Sequence, residues 1–168
     1  MSTSSASAIP DDPIAVGWKE WVSLPELGLL ALRVKVDTGA RTSALHAVDI
    51  RLFEEGGRRR VRFVVHPVGK NPHVKVEAEA DVVDERTVIS SNGHEEHRVV
   101  IRTLFRLGLS AAAPEWPIEL TLTDRRRMRM RMLLGREAMR GRIVVHPGAE
   151  YLHGQIPSAR PFYVKPGA

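Results

Sequence analysis

An all-β domain, a barrel or sandwich carrying one short helix near its C-terminus, is the fold class that the sequence predicts. Two observations predict it. Apolar residues recur with period two in many short runs, and Gly, Pro, Asn or Asp punctuates the gaps between them. One segment, Glu137-Ala138-Met139-Arg140, suits a short helix, and Gly141 can stop it.

Trp18 to Ser23 and Leu29 to Val36 are the first expected strands, separated by a turn at Pro25 and Gly28. Residues 42–47 carry the chain onward, and Val48 to Phe53 alternates as another strand before the turn Glu54-Glu55-Gly56-Gly57. Arg60 to Val65 and Val74 to Ala78 flank a Pro/Gly/Asn-rich tip, Pro67 to Pro72. Thr87 to Ser90 and His97 to Ile101 meet through Asn92-Gly93, a hairpin signal because a type I′ turn needs φ > 0 twice. Ile118 to Leu122 and Met128 to Leu134 are expected to pair around Asp124-Arg125. There Met128, Met130 and Met132 alternate with Arg127, Arg129 and Arg131, so one face is methionine and the other arginine. Leu133-Leu134-Gly135 ends that strand, and Ile143-Val144-Val145 resumes another after the helix.

The 168 residues suffice for one well-cored domain and are too few for two ordinary ones. The expected division is a disordered tail over 1–13, a domain over 14–156 and a C-terminal tail over 157–168. No stretch approaches the roughly 20 apolar residues of a membrane helix. Met1 to Pro13 is small, polar and Pro-interrupted, without the basic and apolar regions of a signal peptide, so a cytoplasmic location is expected. With no cysteine there is neither a disulfide framework nor a thiolate metal site. The formal charge is +5, and Arg58-Arg59-Arg60 and Arg125-Arg126-Arg127 are the dense runs. They read as solvated turns or, functionally, as contacts for an acidic peptide. Aromatic content of 5% without a stacking motif argues against nucleic acid.

Chemistry concentrates at Asp37-Thr38-Gly39-Ala40, which closes the apolar run from Leu29 to Val36. A carboxylate projecting from a tight loop can act on water, and a glycine beside it lets backbone approach closely. Other chemistries find less support. His94-Glu95-Glu96-His97 has its histidines at i and i+3, whereas a His-Glu-x-x-His zinc helix needs i and i+4. His46, His66, His73, His146 and His153 are scattered without ligand spacing, so no metal site is expected. No phosphate-binding glycine loop and no serine-nucleophile elbow occur, and no cofactor is expected.

Five blocks in order resemble one family. They are Gly17-Trp18-Lys19-Glu20-Trp21-Val22-Ser23-Leu24-Pro25-Glu26-Leu27, residues 35–47 around the Asp-Thr-Gly, Val83-Asp84-Glu85-Arg86, Trp116-Pro117-Ile118-Glu119, and Met132-Leu133-Leu134-Gly135-Arg136. The chain is similar, from about Gly17 to His153, to bacterial retropepsin-like aspartic peptidases long labelled ATP-dependent zinc proteases and associated with ATP-grasp glutamate ligases. The resemblance implies a retropepsin-like acid-protease barrel with one short helix near the C-terminus. It implies Asp37, Thr38 and Gly39 as catalytic residues, Ala40 and Arg41 at the substrate, and Leu133, Leu134 and Gly135 as support. Since the chain has one Asp-Thr-Gly and an aspartic dyad needs two carboxylates, a homodimer is expected, with both Asp37 side chains on the two-fold axis. The segment around Val61 to Glu77 is expected as a flap. Arg41 is expected to hold a substrate carboxylate or, failing that, to be an outward surface arginine or to pair with Asp84 or Glu85. Implied partners are a peptide or protein substrate, acidic in character, and an ATP-grasp ligase. The alternatives are a non-catalytic binding or regulatory module of a glutamate-ligase system, and a zinc-dependent peptidase.

Overall fold

The computed structural model describes residues 12–69, 71–89, 92–124, 126 and 129–164, apart from the side chain of Val88. Expectations about residues 1–11, Ser90, Arg125, Arg127 and Met128 lie outside the described residues. The strands are β1 (Ile14–Val16), β2 (Lys19–Leu24), β3 (Leu29–Val36), β4 (Ser43–His46), β5 (Val48–Glu55) and β6 (Arg58–Val65). They continue as β7 (Val76–Ile89), β8 (Glu95–Arg106), β9 (Glu115–Thr123), β10 (Met132–Leu134) and β11 (Ile143–Val145), with α1 at Arg136–Met139. Among the described residues no helix is long and apolar enough to cross a membrane.

Period-two patterning holds over the second half of β3, where Leu32, Val34 and Val36 are buried while Arg33 and Lys35 face out, and Ala31 is buried on the opposite face. Each fully buried leucine stabilises by about 1.5–3 kcal/mol relative to exposure. The inward faces of β2, β3, β4, β6, β8, β9 and β10 supply one core, in which Phe63, Phe105, Leu32, Leu45, Leu120 and Met132 are fully enclosed. Two of the expected hairpins also form at glycine turns. Gly56 and Gly57 turn β5 into β6 with φ of 59° and 76°, and Gly93 at φ 79° lies between β7 and β8.

The barrel is corrected. Among the described residues nine strands form one open sheet in the order β2-β3-β10-β4-β9-β8-β7-β6-β5, and β1 pairs with β11 separately. The sheet curls until β2 touches β8, but the contact is the single pair Ser23↔Arg106, and β7, β6 and β5 extend past it. A barrel needs a continuous ladder between its first and last strands. Here β5 stays an edge strand, marked by an irregular register between Val48 and Arg51 and by Asp49 at φ 52°. The expected helix shrinks to the single turn Arg136–Met139, too short to be stable on its own.

A second correction concerns pairing. Residues 118–122 and 128–134 do not form a hairpin, because β4 lies between β9 and β10. It runs parallel to β9 from Ser43↔Leu120 to His46↔Thr123 and antiparallel to β10 through Leu45↔Met132. All four β4 residues are buried, so β4 must sit centrally with neighbours on both sides. Strand β10 is correspondingly short, and residues 129–131 are bends.

The Arg58–Arg60 run is not a turn. It lies on β6, where Arg58 and Arg60 pair with Asp81, Arg59 with Glu85, and Arg62 with Glu79 across to β7. These arginines are occupied by the chain's own acids. On the outer side of β2 and β3, Trp21, Ala31 and Ala159 make a second cluster, joined by Val68, Tyr151 and Tyr163. The Tyr163 hydroxyl donates to the Ala31 carbonyl and accepts the Ala31 N–H, and burial pushes its pKa up to about 12. The tip of the β6–β7 hairpin, expected as a flap, rests on the body: Val68 packs with that cluster, and Arg131 donates to the Gly69 carbonyl at 3.4 Å.

Candidate active site

Two parallel strands end together to build the site. β10 lies alongside β3 with Leu133↔Lys35 and Leu134↔Val36, so Asp37 and Gly135 leave the sheet side by side. The Asp37 N–H donates to the Leu134 carbonyl at 2.9 Å. Within the loop the Gly39 N–H donates to Asp37 Oδ1 at 2.9 Å, and the Ala40 N–H to the Asp37 carbonyl at 3.2 Å. The first bond fixes the orientation of the carboxylate; the second closes the turn.

The return segment clamps the loop from below. The Gly135 N–H donates to Ser43 Oγ at 3.0 Å, the Arg136 N–H to the Ala40 carbonyl at 2.8 Å and the Glu137 N–H to the Arg41 carbonyl at 3.0 Å. The Arg136 guanidinium reaches the Thr38 carbonyl at 3.0 Å. Gly135 is required for this approach, since a β-carbon there would lie 2.6 Å from the Thr42 carbonyl carbon and oxygen. The loop is thus held by backbone bonds on both flanks, a preorganised mount for one carboxylate.

The expected site residues therefore converge. Asp37 is half-buried, Thr38 and Gly39 are exposed, Ala40 is intermediate, and Leu134 and Gly135 are buried beneath them. Arg41 does not pair with Asp84 or Glu85. Its side chain, 78% exposed, lies 3.7 Å from Glu137, while Asp84 binds Arg86 and Glu85 binds Arg59 and His97. Neither Ser43 nor Glu137 stands out in the sequence, because a hydroxyl supporting a glycine amide has no local signature. Arg136 follows Leu133-Leu134-Gly135 directly, and that adjacency was its one available signal.

The histidines lie on several different elements. His94 to His97 lie in a turn and on β8, where strand geometry replaces helical projection. His97 Nε2 is 3.1 Å from Glu85 on β7. Among the described residues no group of three or more His, Asp or Glu side chains is placed to hold a metal. His46, at the end of β4, is buried, and desolvation first and Arg131 second lower its pKa below 6.5, against the pull of Asp124 at 4.0 Å. The stability that neutral His46 brings is complete above pH 6.5 and drains away as pH falls below it toward the depressed folded value. The unfolded chain then takes up a proton that the folded one resists. In urea titrations at descending pH, His46→Asn is expected to lose less stability than wild type over that window.

Comparison with known proteins places the chain among relatives. A protein of Shewanella pealeana described as "Probable alpha-L-glutamate ligase" is 43% identical over 145 residues, covering 86% of this chain and 31% of its own length. A protein of Parasynechococcus marenigrum with the same description is 46% identical over 143 residues, covering 85% and 30% respectively. The chain thus spans about a third of the length of these curated relatives. A solved structure from Legionella pneumophila, of a protein of unknown function, superposes with a TM-score of 0.68 at 26% identity, covering 85% of this chain and 100% of that one. The model of the RimB-like family, described as retropepsin-like aspartic endopeptidase RimB, matches residues 15–155, and the chain belongs to that family.

Proposed function

We propose that this chain works in a glutamate-ligase system as an aspartic-type peptidase, built when two copies bring their Asp37 side chains together. The ligase link is supported by relatives that carry this segment within ligase chains. The hydrolytic reading is carried by one observation: the Asp37 loop is mounted on paired parallel strand ends and locked through Gly135. In the dimer one carboxylate is ionised and takes a proton from water as the oxygen attacks the peptide carbonyl. The other is protonated and donates to the carbonyl oxygen, because two such groups in contact cannot both ionise. Collapse of the tetrahedral intermediate breaks the C–N bond, and the amine leaves with a proton. Thr38, exposed beside Asp37, would meet its counterpart loop, and Ala40 and Arg41 would line the substrate, whose acidic side chains suit the arginine. The substrate we favour is a glutamate-rich peptide or protein tail, in the cytoplasm.

One observation favours a second reading. A single chain presents one Asp-Thr-Gly loop, half of a dyad, and a ligase can carry such a domain as a non-catalytic regulator. The deciding experiment is a mass-spectrometric digest of a peptide mixture that includes oligoglutamate, run with chelator, for wild type and Asp37→Asn. Cleavage by wild type, reduced about a thousandfold or more in the variant, is the expected result. Absence of cleavage by a dimeric wild type favours the regulator, and equal cleavage by both removes Asp37 as the catalyst.

A further inference from the structure

Next to the Asp37 loop lies a cleft of about 670 Å³ that gathers five arginines from distant parts of the chain. Arg41 comes from the loop itself, Arg86 from β7, Arg102 from β8, and Arg140 and Arg142 from either side of Gly141. Two glutamates, Glu119 and Glu137, share the cleft, so five positive charges less two negative leave a net +3. Glu137 is divided between Arg41 at 3.7 Å and Arg140 at 3.2 Å, and Arg86 is held by Asp84 at 2.8 Å. Arg102 and Arg142 are in no ion pair among the described residues. Arg142 instead lies over the Trp116 ring, 5.1 Å from its centroid. That ring is fixed by its Nε1–H donating to the Ala138 carbonyl at 2.9 Å and by edge contact with Phe105.

Gathered like charge is unfavourable in itself and is relieved by an anion, and guanidinium forks match carboxylates in geometry. The chemistry of the walls narrows the choice of anion. Trp116, the aromatic of the cleft, is covered by Arg142 and packed against Phe105, which leaves no free ring for a base to stack on. Distance supplies the last constraint. Arg41 is four residues beyond Asp37, so the two α-carbons are at most about 14 Å apart, a span that about four extended residues of a ligand can bridge.

We infer that this cleft is a docking site for the carboxylates of an acidic peptide, its Arg41 end within about four residues of the bond presented to Asp37. Binding in the cleft does not depend on catalysis, whereas its place relative to the cut bond rests on the peptidase reading. Arg102 and Arg142 do the gripping, with Arg41 and Arg140 released from Glu137 to join them.

The test is fluorescence anisotropy of fluorescein-labelled hexaglutamate with full-length Asp37→Asn protein, which removes turnover. The pair Arg102→Glu/Arg142→Glu is expected to weaken binding at least about tenfold. Arg51→Glu, an exposed arginine on β5, makes a control for charge and is expected to change binding less than about twofold. Should the reversed-charge pair fold poorly by circular dichroism, Arg102→Gln/Arg142→Gln gives the same comparison with a smaller loss. Equal weakening by Arg51→Glu, or none by either cleft variant, overturns the inference. So does tighter binding of hexauridylate than of hexaglutamate, which would assign the cleft to nucleic acid. Retained cleft-dependent binding in a protein whose wild type cleaves nothing would uphold the docking site while sinking the peptidase reading.

Discussion

Gly135→Ala is expected to unseat the Asp37 loop and to lower the thermal midpoint by roughly 6–12 °C. The glycine's own φ of −93° is ordinary, so conformational freedom is not the reason. The added β-carbon would sit 2.6 Å from the carbonyl carbon and oxygen of Thr42 and 2.9 Å from its nitrogen, all main-chain atoms that cannot swing away. Ordinary contact begins near 3.5 Å, so the two segments must part by about 1 Å. That opening stretches the Gly135 N–H bond to Ser43 and the bonds from Arg136 and Glu137 to the Ala40 and Arg41 carbonyls. Overpacking of this kind costs about 3 kcal/mol, and in a domain of this size each kcal/mol shifts the midpoint by about 2–4 °C. Calorimetry measures the shift. Cleavage assayed at a temperature where both proteins are folded should fall further than stability alone accounts for, since the loop is what moves. A variant with wild-type midpoint and full activity would mean that the two segments do not clasp as described.

The parts of the molecule legible in the sequence are those with a local physical demand. Asp37-Thr38-Gly39 needs a strand before it and a turn within it, and Leu133-Leu134-Gly135 needs burial followed by a glycine without space above it. Both demands are written within a few residues, and the structure brings the two motifs together. Alternation revealed the strands for the same reason. What period two cannot reveal is which strand neighbours which. The slot between β9 and β10 is filled by β4, whose partners lie 77 to 89 residues away, so a plausible local hairpin at Asp124 gave way to long-range burial of Ser43 to His46. Edge geometry is equally silent, so the barrel was expected and an open, curled sheet is found. The arginine cleft is the extreme case. Arg86, Arg102, Arg140 and Arg142 sit in four unremarkable contexts, and only the fold makes them one feature.

Glu20 shows how far the fold around the site depends on a residue whose importance the sequence hides. It is a charged side chain with no exposed surface, in a strand otherwise read as apolar alternation. Its Oε2 accepts the N–H groups of Gly17 at 2.7 Å and Leu152 at 3.0 Å, and its Oε1 accepts that of His153 at 3.1 Å. One carboxylate thereby joins the entry to β2 with a segment more than 130 residues later. The bonds to the three donors are charge-assisted. Glu20→Ala strands them, at about 1–3 kcal/mol each before relaxation, so a loss of about 4 kcal/mol is expected. Glu20→Gln keeps one acceptor oxygen, able to serve Gly17 and Leu152, but turns an amide N–H₂ toward the His153 donor. An intermediate loss of about 2 kcal/mol follows. Urea unfolding of the three proteins orders them, and hydrogen exchange at Leu152 and His153 should quicken in the same order. The damage should reach the site as well, because the neighbouring Trp18 carbonyl accepts the Val36 N–H at 2.8 Å, one residue before Asp37. If Glu20→Ala unfolds at the wild-type urea concentration, the three bonds hold nothing together, and the tie between the two ends of the domain lies in their other contacts: the β1–β11 pairing and the bonds from Trp18 N–H to the Ala149 carbonyl at 2.8 Å and from Tyr151 N–H to the Lys19 carbonyl at 3.0 Å.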